Sequence, residues 1–161
     1  RQALARGREV VAVGRDAARL RALAPEPSLA ERLRPHVAVA TDPLALDAAV
    51  AGADAVLVAL GPRKGDDPDA LTTAVRHVLA AMARHGVGRL LVVSGAGIRV
   101  AGDRKPAPDR VVSALVRLLN RRDVEAKEAQ LALVAEAGRR DPSLRWTVVR
   151  PPRLVDRPGT G

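Results

Sequence analysis

Short apolar runs alternate with segments of helical pattern along this chain, and this alternation most constrains its fold. The runs that suit strands cover residues 9–14, 36–41, 54–61, 88–95 and 145–150. Helical patterns cover residues 1–6, 15–23, 44–52, 70–84, 109–119 and 123–137. Continuous apolar strands are typical of parallel sheets buried on both faces, and no short hairpin signal joins them. The order predicts an α/β fold with a doubly wound, Rossmann-like parallel sheet.

The length of 161 residues leaves room for one domain with a hydrophobic core, and no linker or repeat divides the chain. We therefore predict a single domain over residues 1–161. No capping residue or other helix start precedes the first helical pattern, and the sequence stops in a loop-like segment. On this basis we expect the domain to be incomplete at both ends, with its first strand lying before Arg1.

The residue types that are missing exclude several kinds of chemistry. The chain has no Cys, no Tyr, no Phe and a single Trp. A disulfide, a Cys-based zinc site and a catalytic thiol are therefore excluded, no tyrosine can act as a general acid, and we predict no metal site. No apolar stretch reaches the ~18 residues of a membrane span, and no apolar signal segment is present, so we predict a cytoplasmic protein.

The formal net charge of +9 is of the kind found in nucleic-acid-binding proteins. However, only three of the 27 basic residues are Lys, and the arginines are scattered rather than clustered. The aromatic side chains on which single-stranded bases stack are almost absent. We interpret the charge as a compositional bias and predict a small-molecule partner, with nucleic acid as the less favoured alternative.

In an open parallel sheet the ligand lies at the carboxyl ends of the strands, so the residues after each run are the candidate site residues. Arg15 and Arg19 follow the first run. An arginine at this point of a Rossmann unit accommodates a 2′-phosphate, which favours NADP(H) over NAD(H). Asp16 can bind a ribose hydroxyl or cap the following helix. Arg15 can also be simply one more arginine of an Arg-rich chain.

Other strand ends carry candidates of different chemistry. Asp42 can accept a hydrogen bond from an adenine amino group, or it can be a turn residue before proline. Gly61 would let the backbone approach a cofactor, and Ser94 supplies a hydroxyl at the next strand end. The remaining strand-end candidates are Pro43, Gly95, Pro151 and Arg153.

A glycine-rich turn between the first strand and first helix normally holds the pyrophosphate of a dinucleotide. None of the 13 glycines forms GxGxxG or GxxGxxG. We therefore expect that turn to lie before Arg1. We also expect the 161-residue chain on its own to bind NADPH weakly or not at all.

Four segments carry a resemblance to a known family: RQALARGREVVAVGRDAARL, TDPLALDAAVAGADAVLVALGP, GVGRLLVVSGAGI and LRWTVVRPPRLVD. Together they comprise 68 of the 161 residues and are spread from residue 1 to residue 156. It resembles the NAD(P)H-binding, NmrA-like atypical short-chain dehydrogenases/reductases, and among them the flavin reductase and biliverdin reductase B-like members. In that family a strand and a GATGxxG turn come just before a helix similar to RQALARG, in line with the expectation above.

The resemblance implies cofactor contacts at matching positions. Arg15 and Arg19 would hold the 2′-phosphate of NADP, and Asp42 with Pro43 would face the adenine. The backbone after the third strand would line the cofactor, as would the Pro-Pro segment after the last strand. These lining positions are Ala59, Leu60, Gly61, Pro151 and Arg153.

The resemblance also implies a catalytic pair, with two departures from the family. Ser94 would stand where the family has its active-site Ser or Thr, near the nicotinamide. Lys127 matches the lysine of a Tyr-x-x-x-Lys motif, but Asp123 occupies the tyrosine position, so the usual proton donor is missing. Arg153 stands where the flavin reductase-like members often have a histidine. We interpret the three histidines as solvated or structural residues, since they lie away from the predicted site. They are His36, His77 and His85.

These observations leave four functions open. The first is an NADPH-dependent reductase of a small flavin-like or quinone-like acceptor. The second is a non-catalytic dinucleotide-sensing module of the NmrA-like kind, which the missing tyrosine favours. The third is a nucleic-acid-binding protein, and the fourth is a fragment that is incompetent to bind a cofactor.

Overall fold

The structure is a computed structural model that describes residues 1–61, 67, 69–95, 98 and 121–151. The strands of the described part are β1 (Val10–Gly14), β2 (Leu33–Val37), β3 (Val56–Val58), β4 (Arg89–Val93) and β5 (Arg145–Val149). Its helices are α1 (Gln2–Ala5), α2 (Ala17–Arg21), α3 (Pro27–Ala30), α4 (Pro43–Val50), α5 (Ala70–His85) and α6 (Arg121–Arg140). Every strand pair is parallel, which confirms the predicted α/β class with parallel sheets.

The chain groups into two compact units, residues 1–54 with 73–88 and residues 55–72 with 89–161. The first unit contains the pair β1–β2, and the second contains the three strands in the order β3–β4–β5. The single domain over residues 1–161 stays a prediction. The predicted helix at 109–119 lies outside the described residues.

The first unit is built on the parallel pair β1–β2, in which Val10 is level with Leu33 and Gly14 with Val37. One face of the pair packs on a small apolar cluster of Leu4, Ala24 and Leu33. Burial of such side chains stabilises a fold by about 25 cal/mol per Å² of apolar surface removed from water. The cluster therefore fixes α1 against the strand pair.

The helices of this unit begin and end where short-range chemistry predicts. Asp16 caps α2, because its side chain accepts hydrogen bonds from the backbone N–H groups of Ala18 and Arg19. At the end of α5, Gly86 adopts a φ of 68°, a left-handed conformation that glycine adopts without strain. Val87 then donates its N–H to the carbonyl of Met82 at 2.9 Å, which closes the last turn.

The second unit is built on β3–β4–β5 with α6. One face of this sheet is buried, with Leu90 fully buried and Val92 and Val58 only 1% and 4% exposed. The other face is open at Leu57, which is 63% exposed. The close contact of α6 with β5 lies where Gly138 leaves space for the indole of Trp146.

Two strand predictions require correction. The second strand, expected at 36–41, occupies Leu33–Val37, and Val39 lies beyond it with 49% exposure. The first strand, expected to be buried on both faces, has Val11 41% exposed. The reason is that Val10 and Ala12 face the apolar cluster, while the elements around β1 leave its other face partly open. In addition, Pro27 begins α3, a helix that was not among the predicted helical patterns.

Candidate functional site

The carboxyl end of β1 carries the predicted phosphate-binding arginines. Arg15 directly follows the strand and is exposed, and Arg19 lies in α2 with its side chain 79% exposed. The Nε of Arg19 lies 3.3 Å from Oδ2 of Asp16, while Oδ1 of Asp16 caps the helix. Asp16 is therefore the capping residue that the sequence offered as one alternative, and it also holds the Arg19 guanidinium close to the end of the strand.

Asp42 begins α4 rather than standing free at a strand end. Its Oδ1 accepts hydrogen bonds from the N–H groups of Leu44 and Ala45 at 2.9 and 3.1 Å. Pro43 occupies the first helical position, where its missing N–H is not needed. This arrangement agrees with the interpretation of Asp42 as a turn residue before proline. The expected contact with adenine stays a prediction.

The backbone after β3 is open. Ala59 and Gly61 are exposed, and Leu60 is half-buried. A Cβ built on Gly61 would meet no atom within 4 Å, and its φ does not lie in the left-handed region. Packing within the described residues therefore does not require glycine at this position, whereas a ligand lying against the backbone would benefit from it.

Ser94 follows the end of β4, and Lys127, the other residue that the resemblance assigns to catalysis, approaches the residue after it. The Ser94 backbone donates its N–H to the carbonyl of Val149 at 2.9 Å, which fixes the segment beside β5. The Nζ of Lys127 lies 3.5 Å from the point where a Cβ on Gly95 would be. The lysine ammonium therefore approaches the residue directly after Ser94, and a joint role of the two side chains stays a prediction.

The Ser94 hydroxyl is buried and has no hydrogen-bond partner among the residues that the structure describes. A buried polar group without a partner costs about 1–3 kcal/mol, so native proteins supply one from water, a ligand or the protein itself. Asp123, in place of the family's tyrosine, is exposed in the first turn of α6. Pro151 is half-buried after β5, and Arg153 lies outside the described residues.

Sequence patterns did not single out Gln130. Its side chain is only 1% exposed, and its Nε2 also lacks a hydrogen-bond partner within the described part of the chain. It follows Lys127 by three residues on α6, a spacing that places two side chains on neighbouring parts of one helix face. That spacing is visible in the sequence, but it does not reveal that the glutamine is buried, since glutamine is mostly exposed in proteins.

Histidine and carboxylate groups form a cluster away from these strand ends. Oδ1 of Asp47 accepts a hydrogen bond from Arg84 Nε at 2.8 Å and lies 3.1 Å from His85 Nε2. The hydrogen bond from Arg84 holds the pKa of the Asp47 carboxyl below its ordinary value. This cluster ties α4 to the end of α5, which is the structural role expected for His85.

The groups present fit parts of a dinucleotide. The first unit offers arginine side chains for a phosphate, and the second offers a buried hydroxyl at Ser94, without a partner among the described residues, and the ammonium group of Lys127. Within the described ranges, no group of three His, Asp or Glu side chains is placed to hold a metal ion. None of the described helices is both long and apolar enough to cross a membrane.

A family model for NAD(P)H-binding proteins matches residues 1–161 of this chain. Among solved structures, it is similar to ChuY, an anaerobillin reductase from Escherichia coli O157:H7, with a TM-score of 0.65 and 20% identity. That match covers 93% of this chain and 63% of ChuY.

Two further similar structures hold different dinucleotides. A short-chain dehydrogenase/reductase from Veillonella parvula in complex with NADP is 19% identical with a TM-score of 0.56, over 88% of this chain and 56% of that chain. A UDP-glucose 4-epimerase from Bifidobacterium longum in complex with NAD⁺ and UDP is 14% identical with a TM-score of 0.67, over 92% and 47%. The chain thus spans less than two thirds of each of these proteins, and the likeness concerns the fold.

Proposed function

Because the chain belongs to the NAD(P)H-binding family, whose model matches its whole length, we propose that it is an NADPH-dependent reductase of a small flavin-like or quinone-like acceptor. The family match confirms the resemblance to NAD(P)H-binding atypical short-chain dehydrogenases/reductases. The NmrA-like subtype, the preference for NADP and the reductase activity are parts of the proposal. The observation that carries it is the buried hydroxyl of Ser94 at the end of β4, which has no hydrogen-bond partner among the described residues, together with the Lys127 ammonium that approaches the next residue, Gly95.

The preference for NADP rests on the arginines after β1. Arg15 and Arg19 present planar guanidinium groups that match the geometry of a phosphate. Asp16 does not by itself indicate NAD, because its Oδ1 is used to cap α2. The similar solved structures include one with NADP and one with NAD⁺, so the proposal depends on the residues of this chain.

The chemistry requires little from the protein itself. The nicotinamide supplies the hydride when the cofactor is bound. Ser94 would donate its hydroxyl proton in a hydrogen bond to the ring that is reduced, and the positive charge of Lys127 would favour negative charge developing there. An acceptor ring that delocalises charge needs no strong acid, which suits a chain without tyrosine.

A small organic acceptor is the proposed partner, rather than nucleic acid. Several arginines lie in ion pairs with carboxylates on the surface, including Arg34 with Glu9 and Arg121 with Glu125. These pairs offset part of the positive charge locally. A DNA mobility shift that weakens steeply with salt would contradict this assignment.

A non-catalytic dinucleotide sensor is the second candidate function. It is favoured by one observation, the exposed Asp123 at the position where the family's tyrosine would donate a proton. A sensor would bind NADPH without oxidising it in the presence of any acceptor.

The test is NADPH oxidation followed at 340 nm with FMN and with menadione as acceptors. We expect turnover with at least one of them, and a loss of about tenfold or more in kcat/KM for Ser94→Ala and Lys127→Met. Ser28→Ala, at an exposed serine of α3, is the matched control and should leave the rate unchanged. NADPH binding without oxidation would instead support the sensor.

A further inference from the structure

Gln130 occupies an unusual position for a polar side chain. It is among the most deeply buried side chains of the described residues, at 1% exposure, and its Nε2 has no hydrogen-bond partner among them. Burying an amide nitrogen without an acceptor costs free energy, so we expect another group to accept a hydrogen bond from Nε2.

The position of Gln130 along α6 follows from the two contacts of that helix with the sheet. Gly138 lies against Trp146 near the start of β5, and Lys127 reaches Gly95 beyond the end of β4. The helix therefore runs alongside the strands in the opposite direction. Gln130 is eight residues before Gly138, which corresponds to about 12 Å of helix.

The same distance can be measured along the sheet. Val149 is three residues beyond Trp146, or about 10 Å of strand, and it accepts the backbone hydrogen bond of Ser94. Gln130 and Ser94 are therefore at the same level, at the carboxyl ends of β4 and β5. Lys127, Gln130 and Gly138 also share one helix face. Gln130 follows Lys127 by three residues, and Gly138 follows Gln130 by eight residues, which is two steps of four.

Resting on the proposed function, we propose that Gln130 and Ser94 together bind an amide group of the ligand. The Nε2 of Gln130 would donate to the amide carbonyl oxygen, and the Oγ of Ser94 would accept from the amide N–H or donate to the same oxygen. Two ligand groups have this chemistry: the carboxamide of the nicotinamide, and a lactam or imide edge of the acceptor ring. A quinone offers carbonyl oxygens but no N–H.

The experiment compares Gln130→Met with Gln2→Met, the change of the other glutamine, which is exposed in α1. Equilibrium affinities are measured for NADPH, for 2′,5′-ADP, which lacks the nicotinamide, and for riboflavin, which carries an imide. We expect Gln130→Met to weaken one amide-bearing ligand, NADPH or riboflavin, by about tenfold and to leave 2′,5′-ADP unchanged. Which of the two ligands is weakened identifies the source of the amide.

A second readout separates ligand binding from a structural role. Because Gln130→Met removes an unpartnered buried donor, the thermal midpoint of the ligand-free variant should stay the same or rise by a few degrees. A midpoint lowered by several degrees, with unchanged affinity for both amide-bearing ligands, would overturn the inference. Ser94→Ala should weaken the same ligand as Gln130→Met, and an effect on a different ligand would also overturn it.

Failure of the proposed function has a different signature. A wild-type protein that binds NADPH and riboflavin but reduces nothing contradicts the reductase and leaves the affinity comparison readable. A wild-type protein that binds neither amide-bearing ligand contradicts the inference about Gln130.

Discussion

Asp16 and Asp42 both cap helices, although the sequence also allowed each of them to contact a cofactor. Asp16 caps α2 through Oδ1 and pairs with Arg19 through Oδ2. Asp42 caps α4 in the same way. A capping aspartate contributes typically ~1 kcal/mol to stability, which is reason enough for its presence. The arginines beside Asp16 carry the cofactor proposal because their guanidinium groups match the geometry of a phosphate.

The charge of Asp16 gives a test at the residue level. In Asp16→Asn the amide oxygen can still cap α2, but the negative charge next to the arginines that we propose to bind the 2′-phosphate is gone. We expect NADPH to bind about two- to fivefold more tightly, in keeping with the ~1 kcal/mol or less of an exposed charge pair, and NADH to bind as before. A drop in NADH affinity would mean instead that Asp16 binds the ribose hydroxyl. Cofactor fluorescence titration measures both.

The ionisation of Asp47 makes the free energy of unfolding of the first unit depend on pH at low pH. Its pKa is lowered in the folded protein by the hydrogen bond from Arg84, so its stabilising contribution is present above the unfolded-state pKa near 3.8. That contribution is lost as the pH falls through the lower, folded-state value. We expect urea unfolding between pH 6 and pH 3 to show a smaller loss of stability for Asp47→Asn than for the wild type.

The control for this prediction is Asp54→Asn, a change of an exposed aspartate in the same unit. It should lose stability on acidification as the wild type does. Equal pH profiles for Asp47→Asn and the wild type would show that the Arg84 pair contributes nothing measurable.

At the scale of elements, α6 places the candidate catalytic groups by resting on β5. A Cβ on Gly138 would lie 2.7 Å from Cδ1 of Trp146 and still closer to Nε1, so the indole occupies the space that a larger residue would need. The close approach at Gly138 sets the position of the helix along the strands, and thereby the level of Lys127 and Gln130.

Gly138→Ala tests this contact with two opposing effects. Alanine favours a helix over glycine by about 1 kcal/mol, but overpacking typically costs about 1–3 kcal/mol. We expect a net loss of about 1 kcal/mol in the free energy of unfolding. In a Trp146→Leu background the same substitution should stabilise by about 1 kcal/mol. Circular dichroism during urea unfolding gives both values, and stabilisation in both backgrounds would contradict the contact.

Sequence patterns predicted β4, β5, α5 and the helix end at Gly86 closely, because each rests on local chemistry. The second strand was misplaced because proline within a run normally argues against a strand. Here Ala38 donates its N–H to the carbonyl of Gly14 in β1. Every second residue of a strand directs its N–H to the same side, and Pro35 lies three residues before Ala38, so Pro35 is directed to the opposite side. Its missing N–H therefore faces away from the pairing, which no sequence pattern reveals.

The candidate site shows the same difference between what local sequence predicts and what depends on long-range packing. Ser94 and Lys127 were predicted through their resemblance to the family motif, whereas the approach of Lys127 to Gly95 depends on how α6 packs. Gln130 could not be found from the sequence, because an isolated glutamine in a helix looks like an exposed residue until its burial is known.

For the whole molecule, the central claim is that an NAD(P)H-binding chain distinguishes NADP(H) from NAD(H) through the arginines after β1. Both cofactors share the pyrophosphate, and they differ only at the 2′-phosphate. The ratio of the two affinities therefore tests the claim independently of their absolute values.

The most direct measurement is a parallel titration with NADPH and NADH of the wild type, of Arg15→Ala/Arg19→Ala, and of Arg6→Ala/Arg8→Ala. The last variant removes the same charge from exposed arginines before β1. We predict that the wild type and this control bind NADPH at least tenfold more tightly than NADH, or about 1.4 kcal/mol, and that Arg15→Ala/Arg19→Ala abolishes the difference. Equal affinities in the wild type, or an unchanged ratio in Arg15→Ala/Arg19→Ala, would contradict it.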